Sequence, residues 1–263
     1  KHARILLAKA YTQQGLYLNA DKEWNKVISR ETTLKEIAPF YLETLYALDD
    51  KEAILNFWQK NKTVLSENII VALTYLKTNE LDKSKKLLDK ARNWALTLNN
   101  SNVMNVSYNL LQALASRNST AQINALTNAC NAEQKNWVVC SLAANAQFTT
   151  KKYTKAAANY ERLIKQRPFH YEHYIYLAES YVRTNNRKSA EKFLSILLKL
   201  FPNQAYINQL KAIHSIQTQQ FELAKRHIDI TIAQSFSNNE TKLLAGLINY
   251  QLENYEYDDN FIS

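Results

Sequence analysis

The organisation of this chain is clearest in the segment PFHYEHYIYLAESYVRTNNRKSAEKFLSILLKLFP (168–202). Each half of the segment carries apolar residues at helical spacing, and the polar stretch RTNN (183–186) separates the two halves. Pro168 and Pro202 lie 34 residues apart. Proline ends a helix because it lacks an amide proton and clashes with the preceding turn. The segment therefore predicts two helices joined by a short turn, as one unit of a 34-residue repeat.

The same arrangement recurs along the sequence in both directions, at or close to steps of 34 residues. Repeats that start at 1, 65, 137, 171, 205 and 239 have a small residue at their eighth position, and weaker repeats begin near 34 and 101. Small side chains let paired helices approach closely, so we expect these residues to face an adjoining helix. They are Ala8, Ala72, Ala144, Ala178, Ala212 and Gly246, with Ala20, Ala156, Ala190 and Ala224 at the twentieth position.

Composition supports a helical fold. The 263 residues include only two glycines and three prolines, whereas sheet folds of this size need many tight turns rich in both. We therefore predict an all-α fold of about eight helix pairs that forms a single solenoid over 1–263. Neither end shows the polar cap that terminal repeats require, so we expect the sequence to be a fragment of a longer protein.

This pattern resembles the tetratricopeptide repeat family over nearly the whole chain. The resemblance implies a right-handed α–α superhelix whose first helices line a concave face, where a protein or peptide partner would bind. Exposed tyrosines beside amides and an arginine suit such a face. Carried over position by position, the resemblance assigns to it Asn145, Phe148, Glu172, Tyr176, Glu179, Arg183, Tyr206, Gln209, Gln217, Glu240 and Tyr250.

A narrower resemblance concerns ARILLAKAYTQQGLYLNADKEWNKVI (3–28) and the later succession from AYINQLKAIHSIQTQQFELAKRHIDITI (205–232) to KLLAGLINYQLENYE (242–256). These stretches are similar to bacterial tetratricopeptide-repeat lipoproteins of exopolysaccharide and exosortase (PEP-CTERM) systems. The resemblance implies a periplasmic or envelope-associated location and a role in envelope assembly or in export of exopolysaccharide or protein. A cytoplasmic location is the alternative.

Two cysteines flank one helix–helix turn. Cys130 falls near the end of a second helix and Cys140 in the first turn of the next helix. Such a turn brings consecutive helices side by side, so the thiols could bond in an oxidising compartment. The alternative is two buried small hydrophobic residues, since Cys140 occupies a core position of its repeat.

Residues for catalysis are scarce. His170 and His173 stand three residues apart beside Glu172, but this spacing at a helix start is ordinary for polar residues. The sequence has no Gly-x-Ser-x-Gly motif, and its two isolated glycines cannot form a phosphate loop. We therefore expect a protein that is not an enzyme and that holds no metal and no cofactor.

The net charge of +9 leaves two interpretations open, a solvated surface or an acidic partner. The leading hypothesis is a scaffold for a protein or peptide. The alternative is a module that binds carbohydrate or another anionic polymer, motivated by the charge and the sixteen tyrosines. No arginine-rich arm or aromatic RNA-binding motif occurs, so no nucleic-acid partner is expected. No apolar run is long enough to predict a transmembrane segment.

Overall fold

A computed structural model describes residues 2–28, 34–61, 68–97, 100–116, 118–234, 236 and 238–259. Within these ranges every regular element is a helix, as the sequence predicts. The fifteen helices of the described residues are α1 His2–Gln14, α2 Tyr17–Trp24, α3 Leu34–Ala47, α4 Lys51–Lys60, α5 Ile69–Lys77, α6 Leu81–Thr97, α7 Ser101–Ala115, α8 Ser119–Ala132, α9 Trp137–Thr149, α10 Tyr153–Gln166, α11 Tyr171–Arg183, α12 Arg187–Leu200, α13 Ala205–Gln217, α14 Phe221–Ala233 and α15 Asn239–Asp259.

Six of the described turns between paired helices share one backbone device. A residue one or two positions after the first helix adopts a positive φ, and in five of these turns the next amide bonds back to a carbonyl five residues earlier. Asn185 has a φ of 54°, and the Asn186 amide donates to the Tyr181 carbonyl oxygen over 2.9 Å. Gly15 takes this role once, and elsewhere larger residues do, which explains how the chain forms its turns with two glycines. The non-glycine residues with positive φ are Asp49, Asn79, Lys151, Asn185 and Gln219.

Asparagine side chains begin many of the helices. The Asn68, Asn100, Asn118, Asn136 and Asn186 side chains each accept a hydrogen bond from a backbone amide in the first turn of the helix that follows. These amides have no partner within the helix, and each such cap stabilises it by about 1 kcal/mol.

Small residues lie where the repeat places them, at contacts between helices. The alanines of the eighth and twentieth positions are at most 1% exposed, which confirms that they pack against neighbouring helices. Gly246 differs, because it is exposed and a Cβ added there would meet no atom within 4 Å. Close packing at the eighth position therefore holds for the alanines and not for Gly246.

The chain divides into two compact units. Unit 1 comprises Lys1–Thr150 and Glu161–His170, and unit 2 comprises Lys151–Tyr160 and Tyr171–Ser263. In each unit consecutive helices pack together, and first helices also pack on the next first helix, as α1 does on α3 and α11 on α13. This stacking of helix pairs confirms the predicted all-α repeat fold. A single solenoid over 1–263 stays a prediction.

Unit 1 contains a contact between parts of the chain that are far apart in sequence. The Arg167 guanidinium donates to Glu43 Oε1 on α3 from Nη2 at 2.6 Å and from Nε at 3.0 Å. The Trp137 ring stacks on Tyr17 at 5.8 Å between centroids, and His170 packs against both rings. We call these five residues the Arg167 clasp. Solenoid repeats usually touch only their neighbours, so the clasp is an added constraint on unit 1.

Gly15 makes part of this contact achievable. Its φ of +85° disfavours any side chain, and a Cβ would lie 3.1 Å from the His170 amide nitrogen. The adjoining Phe169 amide donates to the Gln14 carbonyl oxygen over 3.0 Å. Gly15 therefore serves both the tight turn and the close approach of the 167–170 segment.

Candidate partner-binding face

Three helices of unit 2, each the first helix of its repeat, carry most of the residues assigned to the predicted concave face. α11 packs on α13 and α13 packs on α15, so polar side chains from all three helices come within reach of one another. Arg183, at the end of α11, is the centre of this cluster. Its Nε donates to Glu179 Oε1 over 3.2 Å, and its Nη1 and Nη2 donate to the two Glu240 carboxylate oxygens over 2.8 and 3.3 Å.

The middle helix, α13, contributes two further side chains to the cluster. The Tyr206 hydroxyl donates to Glu179 Oε2. Gln209 Nε2 lies 3.4 Å from Glu240 Oε2 and 3.3 Å from Thr241 Oγ1. We call Glu179, Arg183, Tyr206, Gln209 and Glu240 the Arg183 network. It joins three successive repeats of unit 2 through side chains alone.

Solvent exposure increases across the Arg183 network, from the buried Glu179 to the partly exposed Glu240. The side chain of Glu179 is 6% exposed, that of Arg183 30% and that of Glu240 39%. Burial raises the pKa of the Tyr206 hydroxyl, and the neighbouring Glu179 carboxylate raises it further, so Tyr206 remains a proton donor. Hydrogen bonding to Glu240 raises the pKa of Arg183 and keeps it charged. The network is thus charged, and it is accessible to solvent at Arg183 and Glu240.

Two more predicted residues lie together on α11. The Tyr176 hydroxyl donates to Glu172 Oε1 over 3.3 Å, and the Tyr176 ring stacks on Tyr160 at 5.6 Å between centroids. Tyr176 is half-buried and Glu172 is exposed. They extend the polar surface of α11 by an aromatic ring and a carboxylate.

Gln217 and Tyr250 lie away from the network. Gln217 Nε2 donates to the Val182 carbonyl oxygen over 3.0 Å, so this side chain bridges α13 to α11. Tyr250 is 61% exposed and lines a shallow recess on α15 with Leu243, Gly246 and Leu247. Spacing along the repeat placed both on the concave face, and a binding role for either stays a prediction.

Asn145 and Phe148 lie near the end of α9, in unit 1. Asn145 is exposed and Phe148 is half-buried. Their assignment to a binding face stays a prediction.

The repeat pattern does not identify Asn238 and Thr241, which also belong to this surface. Asn238 Oδ1 accepts from the Thr241 amide over 2.8 Å and lies 3.3 Å from Gln209 Nε2, so it both caps α15 and joins the network. The stretch SNNET (237–241) resembles a helix start, and reading it as a cap would have placed Asn238 beside Glu240.

The two cysteines form a disulfide between the end of α8 and the start of α9. Their Cα atoms lie 4.6 Å apart, and the side chains are at most 1% exposed. Arg162 Nη2 donates to Cys130 Sγ. The bond ties the helix that carries Trp137 of the Arg167 clasp to the preceding helix.

The histidines beside Glu172 lie in different settings. His170 packs against Tyr17 and Trp137 in unit 1, and His173 is 3% exposed within α11 of unit 2. Over the described part of the chain, no group of three or more His, Cys, Asp or Glu side chains is arranged to hold a metal ion. Nor does any described helix combine the length and apolarity needed to span a membrane.

Comparison with known proteins supports the helical-repeat assignment. Residues 147–213 match the tetratricopeptide repeat family. The crystal structure of the APC/C hetero-tetramer Cut9–Hcn1 is similar with a TM-score of 0.51 at 13% identity, over 93% of this chain and 55% of that chain. This chain therefore spans about half the length of that protein. The match shows the fold.

Two further solved structures are similar at lower scores. The P58(IPK) TPR domain gives a TM-score of 0.43 at 14% identity, over 97% of this chain and 79% of that chain. A tetratricopeptide repeat protein from Parabacteroides merdae gives 0.41 at 14% identity, over 94% and 98%. No curated protein matches this chain.

Proposed function

We propose that this chain is a non-catalytic scaffold and that the α11–α13–α15 face of unit 2 binds a protein or peptide partner. The observation that carries the proposal is the Arg183 network, in which side chains from three successive repeats form one connected and partly exposed polar surface. A partner that spans several repeats would meet groups already held in position, which lowers the entropic cost of binding.

The charges of the Arg183 network favour a protein over an anionic polymer. Within the network the Glu179 and Glu240 carboxylates pair with the one Arg183 guanidinium, so carboxylates outnumber basic groups there, whereas Lys151, Lys152 and Lys155 line a recess beside Arg183 at the end of α11. The two carboxylates would repel an anionic polysaccharide at the network itself. Lysine or arginine side chains and backbone amides of a polypeptide would find acceptors, and the Tyr176 ring would add apolar contact area.

The proposal includes a location in a bacterial envelope, with a role in its assembly or in export of exopolysaccharide or protein. The support for the location is the Cys130–Cys140 disulfide, because such bonds persist mainly in oxidising compartments. A cytoplasmic location is the alternative, and alkylation of thiols in freshly lysed cells separates the two. Two alkylated cysteines in the native protein would contradict the envelope location.

Site-specific photocrosslinking tests the binding face. A benzophenone amino acid replaces Tyr176, or, as a control, Trp94 on the second helix α6, which is 45% exposed. In cells that naturally contain the protein, we expect one protein to crosslink at position 176 and not at position 94. The same crosslink should disappear when Arg183→Ala is added. Equal crosslinking from both positions, or crosslinking to carbohydrate alone, would contradict the proposal.

A further inference from the structure

A recess in unit 1 combines an apolar floor with a basic rim. It lies between α4, α5 and α6 and has a volume of about 560 Å³. This volume is within the range of roughly 300–1,000 Å³ found for small-molecule pockets. The residues of the Arg183 network do not take part in it, so it is a separate feature of the chain.

The floor of the recess is preformed. The Trp58 and Tyr75 rings meet edge to face, with 6.0 Å between centroids and an interplanar angle of 87°. Trp58 is 6% exposed, Tyr75 5% and Leu87 7%, so other parts of unit 1 hold these side chains in place. A ligand would therefore meet a rigid apolar surface that needs little rearrangement.

The rim is formed by one face of α6. Lys83, Lys86 and Lys90 follow one another at spacings of three and four residues, which places all three on the same side of the helix. Seven residues of helix rise about 10 Å, so the ammonium groups form a row and do not converge on one point. A row of three cations suits a ligand with more than one anionic group.

The acidic side chains of α6 and of the turn before it leave part of this charge uncompensated. Glu80 pairs with Lys83, and Asp89 pairs with Arg92 over 3.1 Å. Lys86 and Lys90 are exposed and form no ion pair with any residue that the structure describes. The open part of the rim is therefore cationic.

We propose that this recess, the α6 pocket, binds a small organic molecule that carries at least two phosphate or carboxylate groups. The anionic groups lie along Lys83, Lys86 and Lys90, and the carbon body rests on Trp58, Tyr75 and Leu87. The Gln59 amide also lines the recess and offers a hydrogen bond to a hydroxyl or carbonyl of the body. The recess and its apolar floor distinguish this site from a flat patch of solvated lysines.

Calorimetry and lysine NMR test the α6 pocket on the full chain. The probes are fructose 1,6-bisphosphate for phosphate, citrate for carboxylate, and inorganic phosphate as an anion without a carbon body. We expect one organic probe to bind saturably and to shift the ¹³C-methylated amine signals of Lys83, Lys86 and Lys90. The stronger organic probe identifies the anionic group, and inorganic phosphate should bind at least about tenfold more weakly because it has one anionic centre and no body for the floor.

Variants with matched net charge distinguish binding at the α6 pocket from nonspecific electrostatic attraction to a basic protein. Lys86→Glu/Lys90→Glu should weaken the preferred probe by about 20-fold or more, and Lys86→Gln/Lys90→Gln by less. Lys188→Glu/Lys225→Glu makes the same change in net charge at exposed lysines of unit 2 and should leave affinity unchanged. All four changed lysines are exposed, so melting temperatures should stay close to that of the wild type. Equal weakening by both glutamate pairs, or no saturable shift with either organic probe, would overturn the proposal.

Discussion

Arg167 in unit 1 and Arg183 in unit 2 make similar bonds in different surroundings. Each pairs with a glutamate from a distant first helix, Glu43 on α3 or Glu240 on α15. The Arg167–Glu43 side chains are 13% and 15% exposed, whereas those of Arg183–Glu240 are 30% and 39% exposed. Trp137 also covers Arg167, with its ring centroid 5.9 Å from the guanidinium carbon. Solvent access thus separates the two pairs.

An Arg–Glu ion pair between helices can therefore serve either stability or partner binding, depending on its exposure to solvent. Removing either member of the Arg167–Glu43 pair leaves a poorly hydrated charge, so the pair matters for the stability of unit 1. The Arg183–Glu240 pair stays partly hydrated, so loss of Glu240 should cost little stability, whereas loss of Arg183 would also unpair the buried Glu179 carboxylate. The predictions below follow this contrast from the largest expected effect to the smallest.

Ala178→Leu tests the packing on which the position of the Arg183 network depends. Ala178 is fully buried, so a larger side chain would force α11 away from its neighbours and lower the free energy of unfolding by about 3 kcal/mol or more. Gly246→Ala is the control at the same repeat position, where space is open, and should stabilise α15 by up to about 1 kcal/mol. Chemical denaturation measures both. A tolerated Ala178→Leu would contradict close packing.

Cys130→Ser/Cys140→Ser tests what holds the helices of the clasp together. Loss of a crosslink between residues 10 apart should lower the stability of unit 1 by about 2.5 kcal/mol, because the unfolded chain gains freedom. Hydrogen exchange resolved by peptide should show faster exchange in α8 and α9. Equal acceleration in α13 and α14 would argue against an effect confined to unit 1.

Arg167→Ala removes the centre of the clasp. We expect a loss of about 2 kcal/mol, since Glu43 then loses two charge-assisted hydrogen bonds in a poorly hydrated place. Urea denaturation provides the measurement. Lys165→Ala, two residues away and exposed, is the control and should change stability by less than about 0.5 kcal/mol. The clasp would be unimportant for stability if both variants behaved alike.

Glu240→Ala should change stability by less than about 1 kcal/mol, because this carboxylate is partly exposed and Arg183 keeps its bond to Glu179. Affinity for the partner identified by crosslinking should fall by about tenfold or more, since the network loses its exposed carboxylate. Titration calorimetry measures affinity, and Glu222→Ala serves as an exposed control on the second helix α14. An unchanged affinity would separate the network from binding.

The pH dependence should have opposite slopes in the two units, and this is the smallest effect. Burial lowers the pKa of His227 below its ordinary value of 6.5, so the unfolded chain binds the proton more readily and unit 2 loses stability as pH falls below 6.5. Burial raises the pKa of Glu43 above 4.5, so its contribution to unit 1 declines as pH rises from 4.5. Melting curves of His227→Asn and Glu43→Gln, each compared with the wild type over pH 4.5–7, should show a smaller corresponding slope; burial also lowers the pKa of His214, so part of the slope of unit 2 remains in His227→Asn. Unchanged slopes would contradict these assignments.

The repeat itself could be predicted from sequence because its signal is local and periodic. Alanines at the eighth and twentieth positions mark helix contacts directly, and Pro168 and Pro202 mark helix ends, whereas Pro39 lies inside α3. The network was anticipated in part, since Glu179, Arg183, Tyr206, Gln209 and Glu240 come together. Its actual bonds depend on rotamers that spacing does not fix.

Other features left no periodic signal. The clasp joins Glu43 to Arg167 across 124 residues, and neither residue stands out in its own repeat. The turns with positive φ were hidden because asparagine, aspartate, lysine and glutamine replace the usual glycine. The α6 pocket depends on the way Trp58 and Tyr75 from two other helices meet below the lysines, which a run of basic residues does not reveal.

The most direct test of the central claim measures stability and partner affinity side by side for Arg167→Ala and Glu240→Ala. We predict that Arg167→Ala loses about 2 kcal/mol of stability and keeps its affinity, whereas Glu240→Ala keeps its stability and loses affinity about tenfold or more. If affinity falls with Arg167→Ala and survives Glu240→Ala, the roles assigned to the two ion pairs are wrong.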